Sequence, residues 1–190
     1  LGRTALKIAD IYYKNNKMAN AIDQYQLFLN RYQGKPETIV EVHWRISDIY
    51  KRMGRKNEAT TWENKTLYIQ NKFSPQKKGP GASYAAKIRF QRAYANFEEM
   101  KKIVLPAEEE KVLKAFKAKE AAYKKLEKEL GEVIEYDSGE EIIAASTIYA
   151  FASQDVADTL SKASIPPELM TPDEIQQYKQ VLETQAEPSK

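Results

Sequence analysis

The chain has no cysteine and a single histidine, His43, among its 190 residues. Without cysteine it can form neither disulfides nor thiolate metal sites, and a lone histidine cannot complete a zinc site or a histidine-based catalytic triad. Glycine is also scarce, and Gly79-Pro80-Gly81 follows no predicted strand, so we expect no phosphate-binding loop. No run of eighteen apolar residues occurs, which predicts that no segment spans a membrane. We therefore expect no enzyme activity, no metal and no cofactor.

Positive charge is concentrated in the first two thirds of the chain. Residues 1–130 contain 27 Lys and Arg against 15 Asp and Glu, whereas residues 131–190 contain 3 against 12. This asymmetry predicts attraction of an acidic partner, or docking of the basic and acidic parts within one molecule or by self-association. Solvated helix faces that merely differ in composition would give the same counts. The Lys77-Lys78 pair has no interleaved aromatic residues, so we expect no nucleic-acid partner.

Residues 4–67 contain two copies of one helical-hairpin sequence pattern. Ala9-Asp10-Ile11-Tyr12 returns as Ser47-Asp48-Ile49-Tyr50, and Ala21 returns as Ala59, all at a spacing of 38 residues. A fixed period of this size indicates a solenoid, in which each hairpin buries its apolar face against a neighbour.

Apolar residues at three- and four-residue steps predict four helices in this region. The predicted stripes are Ala5, Ile8, Ala9 and Tyr12; then Met18, Ala21, Ile22, Tyr25, Phe28, Leu29 and Tyr32; then Ile39, Trp44, Ile46, Ile49, Tyr50 and Met53; then Ala59, Trp62, Leu67 and Ile69. Breaks are expected at Asn15-Asn16 and Gly34-Lys35-Pro36, and Gly54 is placed to cap the third helix in the left-handed conformation.

A family pattern runs through both hairpins. It is carried by Ile8, Ala9, Tyr12-Tyr13-Lys14, Ala21-Ile22, Tyr25 and Leu29, and again by Ile46, Ser47, Tyr50, Gly54, Ala59 and Leu67. In these residues the chain resembles the tetratricopeptide repeat (TPR) family, although Glu63 and Thr66 stand where that family has apolar or small residues. The resemblance implies an all-α fold of antiparallel helical hairpins stacked as an α-solenoid.

The same resemblance implies a concave groove, lined by the first helix of each hairpin, that holds a protein or peptide partner. The matching positions are Leu6, Asp10, Tyr13, Lys14, Trp44, Asp48, Lys51 and Arg52. In the family, Lys and Asn side chains of such grooves grip the C-terminal carboxylate of chaperone tails. Aspartates at the central positions, 10 and 48, would repel a carboxylate unless the basic groove residues dominate. The alternative is that both aspartates bond to a neighbouring helix.

The remainder of the chain is predicted to be helical but not repetitive. We expect two hairpins in residues 1–73, a flexible linker in 74–81 and a C-terminal helical region in 82–190 that caps the solenoid. Pro106 is expected to open a long helix that runs to about Tyr136, and Ser138 with Glu141 forms a capping box for the next helix. The predicted stripes are Ala82, Ala85, Ala86, Phe90, Ala93, Tyr94 and Phe97; then Phe116, Tyr123, Leu126, Leu130, Val133 and Ile134; then Ile142, Ala145, Ile148, Tyr149, Ala152, Val156, Ala157 and Leu160.

The end of the chain is predicted to hold an extended segment and one more helix. Ile165-Pro166-Pro167-Glu168-Leu169 is expected to be extended, because proline disfavours the helical state in the residue before it. Thr171-Pro172-Asp173-Glu174 then supplies a cap, a first-turn proline and a capping glutamate for a final helix through Tyr178 and Leu182.

These C-terminal motifs carry a second resemblance. The motifs occur in the order of a long Lys/Glu helix, Tyr136-Asp137-Ser138-Gly139-Glu140, an Ala-rich helix and then residues 164–174. This order is similar to that in the C-terminal region of large deltaproteobacterial envelope TPR proteins, some of which belong to gliding-motility machineries. It implies a periplasmic or outer-membrane-associated scaffold; the alternative is a cytoplasmic one. Because Leu1 begins almost inside a helix pattern, we expect the chain to be cut from a longer protein.

Two functions follow as hypotheses. The first is a non-catalytic protein-interaction scaffold that uses the groove residues, and the second is a structural spacer within a longer solenoid that uses no groove. His43 beside Trp44 is expected to be a helix-packing pair, with a ligand or pH-sensing role as the alternative.

Overall fold

The computed structural model describes residues 2–106 and 109–161, together with 171–173, 176–177 and 180. Within these residues the fold is all-α and contains no strand, which confirms the predicted class. The helices are α1 (Gly2–Lys14), α2 (Met18–Arg31), α3 (Pro36–Arg52), α4 (Lys56–Phe73), α5 (Ala82–Lys101), α6 (Glu109–Ile134) and α7 (Gly139–Ser161). A search of the described helices for one long and apolar enough to cross a membrane finds none.

Helices α1 to α4 form the two predicted helical pairs. Helix α1 packs on α2, α3 packs on α4, and α2 also packs on α3. Asn16 and Gly54 take left-handed backbone conformations in the two tight turns, with φ of 57° and 73°. Pro36 occupies the first turn of α3, where its missing N–H leaves no hydrogen bond unmade. Local residue chemistry therefore sets where these helices begin and end.

The chain forms two compact units. The first comprises Leu1–Ile88 with Glu135–Ser138, and the second comprises Arg89–Ile134 with Gly139–Lys190. The division falls within α5, so residues 74–81 lie inside the first unit, where Gln70 Nε2 donates to the backbone oxygen of Lys77 at 3.0 Å. The flexibility of residues 74–81 stays a prediction.

The first unit has a core of alanine, β-branched and aromatic residues from α1 to α4. Its buried members are Ala5, Ala9, Ala21, Ile22, Tyr25, Phe28, Val42, Ile46, Ile49, Tyr50 and Ala59. Ile8 was expected in this core but is 39% exposed, because α1 buries its alanines and turns Ile8 towards solvent. Helix α4 buries Glu63, Thr66 and Gln70 beside Ala59, so its inner face is largely polar.

The core of the second unit lies among α5, α6 and α7. Its buried members are Ala93, Phe97, Met100, Leu126, Leu130, Val133, Ala145, Ile148 and Ala152. Helix α6 ends at Ile134, two residues before the approximate limit predicted, whereas Ile134 is 44% exposed, contrary to the predicted stripe. Ala157 was also expected inside and is exposed, whereas Lys119 is buried.

The predicted C-terminal helix is described only in part. Pro172, Asp173, Gln176, Gln177 and Gln180 are helical and exposed. The predicted extended segment 165–169, and the helix positions Glu174, Tyr178 and Leu182, lie outside the described residues.

Candidate interaction face of the first unit

Two predicted groove positions on different helices meet directly. The hydroxyl of Tyr13 on α1 donates to Oδ2 of Asp48 on α3 at 3.1 Å, and Arg52 Nε approaches the same oxygen at 2.9 Å. The guanidinium carbon of Arg52 also lies 4.8 Å from the centre of the Tyr13 ring. Burial, with the nearby Asp48 carboxylate, raises the pKa of Tyr13 above its usual value, so the phenol stays protonated and can donate.

Asp10, the counterpart of Asp48, is also engaged within the protein. The Tyr25 hydroxyl on α2 donates to Asp10 Oδ1 at 2.5 Å, and Arg45 Nη1 on α3 lies 3.5 Å from the same oxygen. Arg45 is held in turn by Glu41, whose Oε1 accepts from Nε at 2.9 Å and from Nη2 at 2.7 Å. Both aspartates thus have donors on neighbouring helices, as the alternative sequence interpretation proposed.

Aromatic residues extend this surface to α5. The Trp44 ring on α3 packs against the Tyr84 ring with 5.2 Å between centroids, and both residues are half-buried. Burial, reinforced by the Glu41 carboxylate, raises the pKa of Tyr84. We name this surface the α1–α3 face. It is defined by Asp10, Tyr13, Trp44, Arg45, Asp48, Arg52 and Tyr84.

The other predicted groove positions take different places. Lys51 Nζ pairs with Oε1 of buried Glu63 on α4 at 2.5 Å, so this ion pair joins α3 to α4. Leu6 is half-buried against the core of the first unit, and Lys14 is exposed.

His43 packs differently from the predicted pair with Trp44. Its ring lies 5.5 Å from that of Trp62 on α4, and Nδ1 donates to the backbone oxygen of Ile39 at 2.8 Å. Burial lowers the pKa of His43 below its usual value, which favours the neutral ring. The contact across the α3–α4 pair gives His43 a packing role.

Four residues that belong to the α1–α3 face or bond to its members were not singled out from the sequence as site residues. They are Tyr25, Glu41, Arg45 and Tyr84. The four-residue spacings of Glu41 to Arg45 and of Asp48 to Arg52 place ion pairs on one side of α3 and could have marked it. Tyr84 lies beyond the second hairpin, so the repeat pattern gave no sign of it.

The second unit contains a half-open pocket of about 470 Å³ between α5 and α6. Its lining residues are Arg89, Arg92, Ala95, Asn96, Glu129 and Glu132. Arg89 Nη1 pairs with Glu132 at 3.2 Å, and Asn96 Nδ2 donates to Glu129 at 2.6 Å. The carboxylates are thus engaged by groups of the pocket itself. Among the described residues, no cluster of three or more His, Asp or Glu side chains could hold a metal ion.

No protein-family model, curated protein or solved structure matches the chain.

Proposed function

We propose that the chain is a TPR-like α-solenoid segment that acts as a non-catalytic scaffold and binds a protein partner through the α1–α3 face. The C-terminal helices would form its cap. The partner segment would be extended or helical, because both forms can lie along a surface built from parallel rows of helix side chains.

The observation that carries this proposal is the cross-helix contact between Tyr13 and Asp48. It brings predicted groove positions of α1 and α3 onto one surface, although they are 35 residues apart in the chain. The contact between the tilted rings of Trp44 and Tyr84 continues this surface onto α5. Tyr, Trp and Arg are the residue types that most often dominate binding energy at protein interfaces.

The charges of the face indicate how a partner would be held. Asp10, Asp48 and Glu41 already accept from donors of this chain. The half-buried rings of Trp44 and Tyr84 offer apolar area without first breaking an ion pair. We therefore place the main binding contribution on the aromatic rings, with Arg52 at the exposed edge of the face.

A peptide library displayed on phage, selected against the full chain, tests this proposal. We expect Trp44→Ala to weaken binding of a selected peptide by about thirtyfold or more, since an interface hot spot contributes about 2 kcal/mol or more. Tyr68→Ala is the matched control, because Tyr68 is a large aromatic residue, 67% exposed, on α4, which contributes no residue to the face. If both variants bind equally well, with helix content preserved by circular dichroism, the face is wrongly assigned.

The spacer alternative is favoured by a different observation. Ile8 and Ile11 on α1 are 39% and 57% exposed, which suits a helix that stacks on further helices. This alternative predicts concentration-dependent association that Ile11→Lys abolishes. Strictly monomeric sedimentation at high concentration would count against it.

We also propose a periplasmic or outer-membrane-associated location, with the cytoplasm as the alternative, on the C-terminal resemblance alone. Fractionation of cells that express the full-length gene product tests this location.

Self-association of the basic and acidic parts of the chain would weaken as salt screens their charges.

A further inference from the structure

Helix α7 presents large apolar side chains on its outward side as well as on its buried side. Ile143 is 71% exposed and Phe151 is 57% exposed. At 100° per residue, one stripe about 80° wide contains both of them together with polar and acidic residues. We name this stripe the α7 face; its members are Glu140, Ile143, Thr147, Phe151, Gln154 and Asp158. The outward face of a surface helix is ordinarily polar, so the two large apolar residues mark a candidate contact.

Helix α1 presents a stripe of similar layout and opposite charge. We name it the α1 outer face; its members, within about 140° of the helix circumference, are Arg3, Lys7, Ile8, Ile11 and Lys14. Ile8 and Ile11 are 39% and 57% exposed. Asp10, the one acidic residue of α1, borders this face, but it accepts from Tyr25 and pairs with Arg45. The α1 outer face thus combines two isoleucines with three cations.

The charges of the two faces are complementary. Helix α7 contains four acidic residues and no Lys or Arg, and Glu140 and Asp158 lie at the two ends of the α7 face. Two α7 faces would therefore repel each other, as would two α1 outer faces, whereas the two different faces attract. The whole units carry charge of the same signs. The first unit contains 16 Lys and Arg against 9 Asp and Glu, and the second contains 14 against 18.

We propose that the α1 outer face of one copy of the chain binds the α7 face of a second copy. This inference deepens the self-association proposed above, because it names the two helices, and it does not depend on the α1–α3 face. One chain carries both faces, so a second copy supplies the complement of each. The contact is heterologous, since it joins different surfaces of the two copies.

The apolar residues of the two faces can interdigitate. Along the helix axis, Ile143 and Phe151 are about 12 Å apart, and Ile8 and Ile11 are about 4.5 Å apart. The two isoleucines of α1 therefore fit between Ile143 and Phe151, above Thr147. The Thr147 hydroxyl donates to the backbone oxygen of Ile143 at 2.8 Å, so covering it leaves this hydrogen bond in place. One helix face against another is a small interface, and we expect weak association that increases with protein concentration.

Two variants of the full chain, each blocking one face, test the contact. Ile11→Gln places a polar amide in the α1 outer face and leaves the α7 face intact, and Phe151→Gln does the reverse. Both positions are exposed, so circular dichroism should show the helix content of the wild type. Tyr68→Gln is the matched control, because Tyr68 is 67% exposed on α4, which contributes to neither face.

Sedimentation equilibrium of the wild type, of each variant and of an equimolar mixture of the two blocked variants measures the association. We expect the wild type and Tyr68→Gln to associate equally. Each blocked variant alone should associate about tenfold or more weakly, because an apolar side chain is no longer covered in the contact. The mixture should regain association, since the intact α7 face of Ile11→Gln meets the intact α1 outer face of Phe151→Gln.

Other results would overturn the proposal. These are a wild type that stays monomeric at high concentration, or a mixture that associates no better than the separate variants. Association of Phe151→Gln by itself would assign the contact to two α1 outer faces, and association of Ile11→Gln by itself would assign it to two α7 faces. Ile8→Gln and Ile143→Gln, exposed on the same two faces, repeat the test if either first variant loses helix content. Peptide binding by the α1–α3 face is measured separately with Trp44→Ala, so the two proposals fail independently.

Discussion

Lys119 on α6 is an ionisable residue that the fold buries, with 3% of its side chain exposed. Its Nζ lies 2.7 Å from Asp155 Oδ2 on α7 and donates to the backbone oxygen of Ile103 at 3.0 Å. Removal of one member of such a pair leaves a buried charge without its partner. We expect Asp155→Ala to lower the free energy of unfolding by about 3 kcal/mol, measured by urea denaturation.

A surface ion pair of similar geometry is the control for this prediction. Lys102 Nζ lies 2.6 Å from Glu99 Oε1, and both side chains are more than two-thirds exposed. Glu99→Ala should cost at most about 1 kcal/mol, because water screens the pair. Lys119→Met combined with Asp155→Leu should recover most of the loss. Equal effects of Asp155→Ala and Glu99→Ala would show that burial of Lys119 does not govern the energy.

His43 provides a pH-dependent prediction at the same scale. Because burial lowers the pKa of His43 in the folded chain, the unfolded chain binds the proton at higher pH. The neutral His43 ring makes its full contribution to stability above pH 6.5, the ordinary pKa taken for the unfolded chain. This contribution is lost as the pH falls from 6.5 towards the lower pKa of the folded chain. His43→Gln should remove this part of the pH dependence. Urea unfolding of both proteins at about pH 5 and about pH 7.5 measures it, and parallel losses in both would contradict the assignment.

At the scale of elements, the start of α5 depends on a close approach to α3. Gly81 has a φ of 77°, and a Cβ there would lie 2.5 Å from Val40 Cβ. Gly54 has a similar φ of 73° but open space around it. Gly54→Ala should cost about 1–2 kcal/mol for the left-handed backbone alone. Gly81→Ala should cost a further 1–3 kcal/mol, roughly, because Val40 must move. Thermal unfolding of the two variants gives the comparison, and equal losses would mean that the contact with Val40 is easily relieved.

The same elements show what a single sequence can reveal. The limits of α1 to α4 could be predicted because apolar periodicity and residues such as Gly54 act locally. The burial of polar residues on the inner face of α4 could not be predicted, because apolar periodicity assigns polar residues to solvent. Thr66 is satisfied instead by the backbone oxygen of Trp62, and Glu63 by Lys51. The pairing of Tyr13 with Asp48 depends on the register of α1 against α3, which one sequence does not specify.

At the scale of the whole molecule, the two compact units can be followed separately. Both tryptophans, Trp44 and Trp62, lie in the first unit, whereas helices of both units contribute to circular dichroism. If the whole chain unfolds in a two-state transition, tryptophan fluorescence and circular dichroism give the same midpoint. If the units unfold independently, the two methods give different midpoints.

We expect the second-unit variant Asp155→Ala to shift the dichroism transition to lower urea while the fluorescence midpoint stays in place. Gly81→Ala, which lies in the first unit, should move the fluorescence midpoint instead. The physical reason is that each unit has a buried apolar cluster of its own. If either substitution moves both transitions together, α5 and the connections at residues 134–139 couple the units into one cooperative fold, and the separation fails.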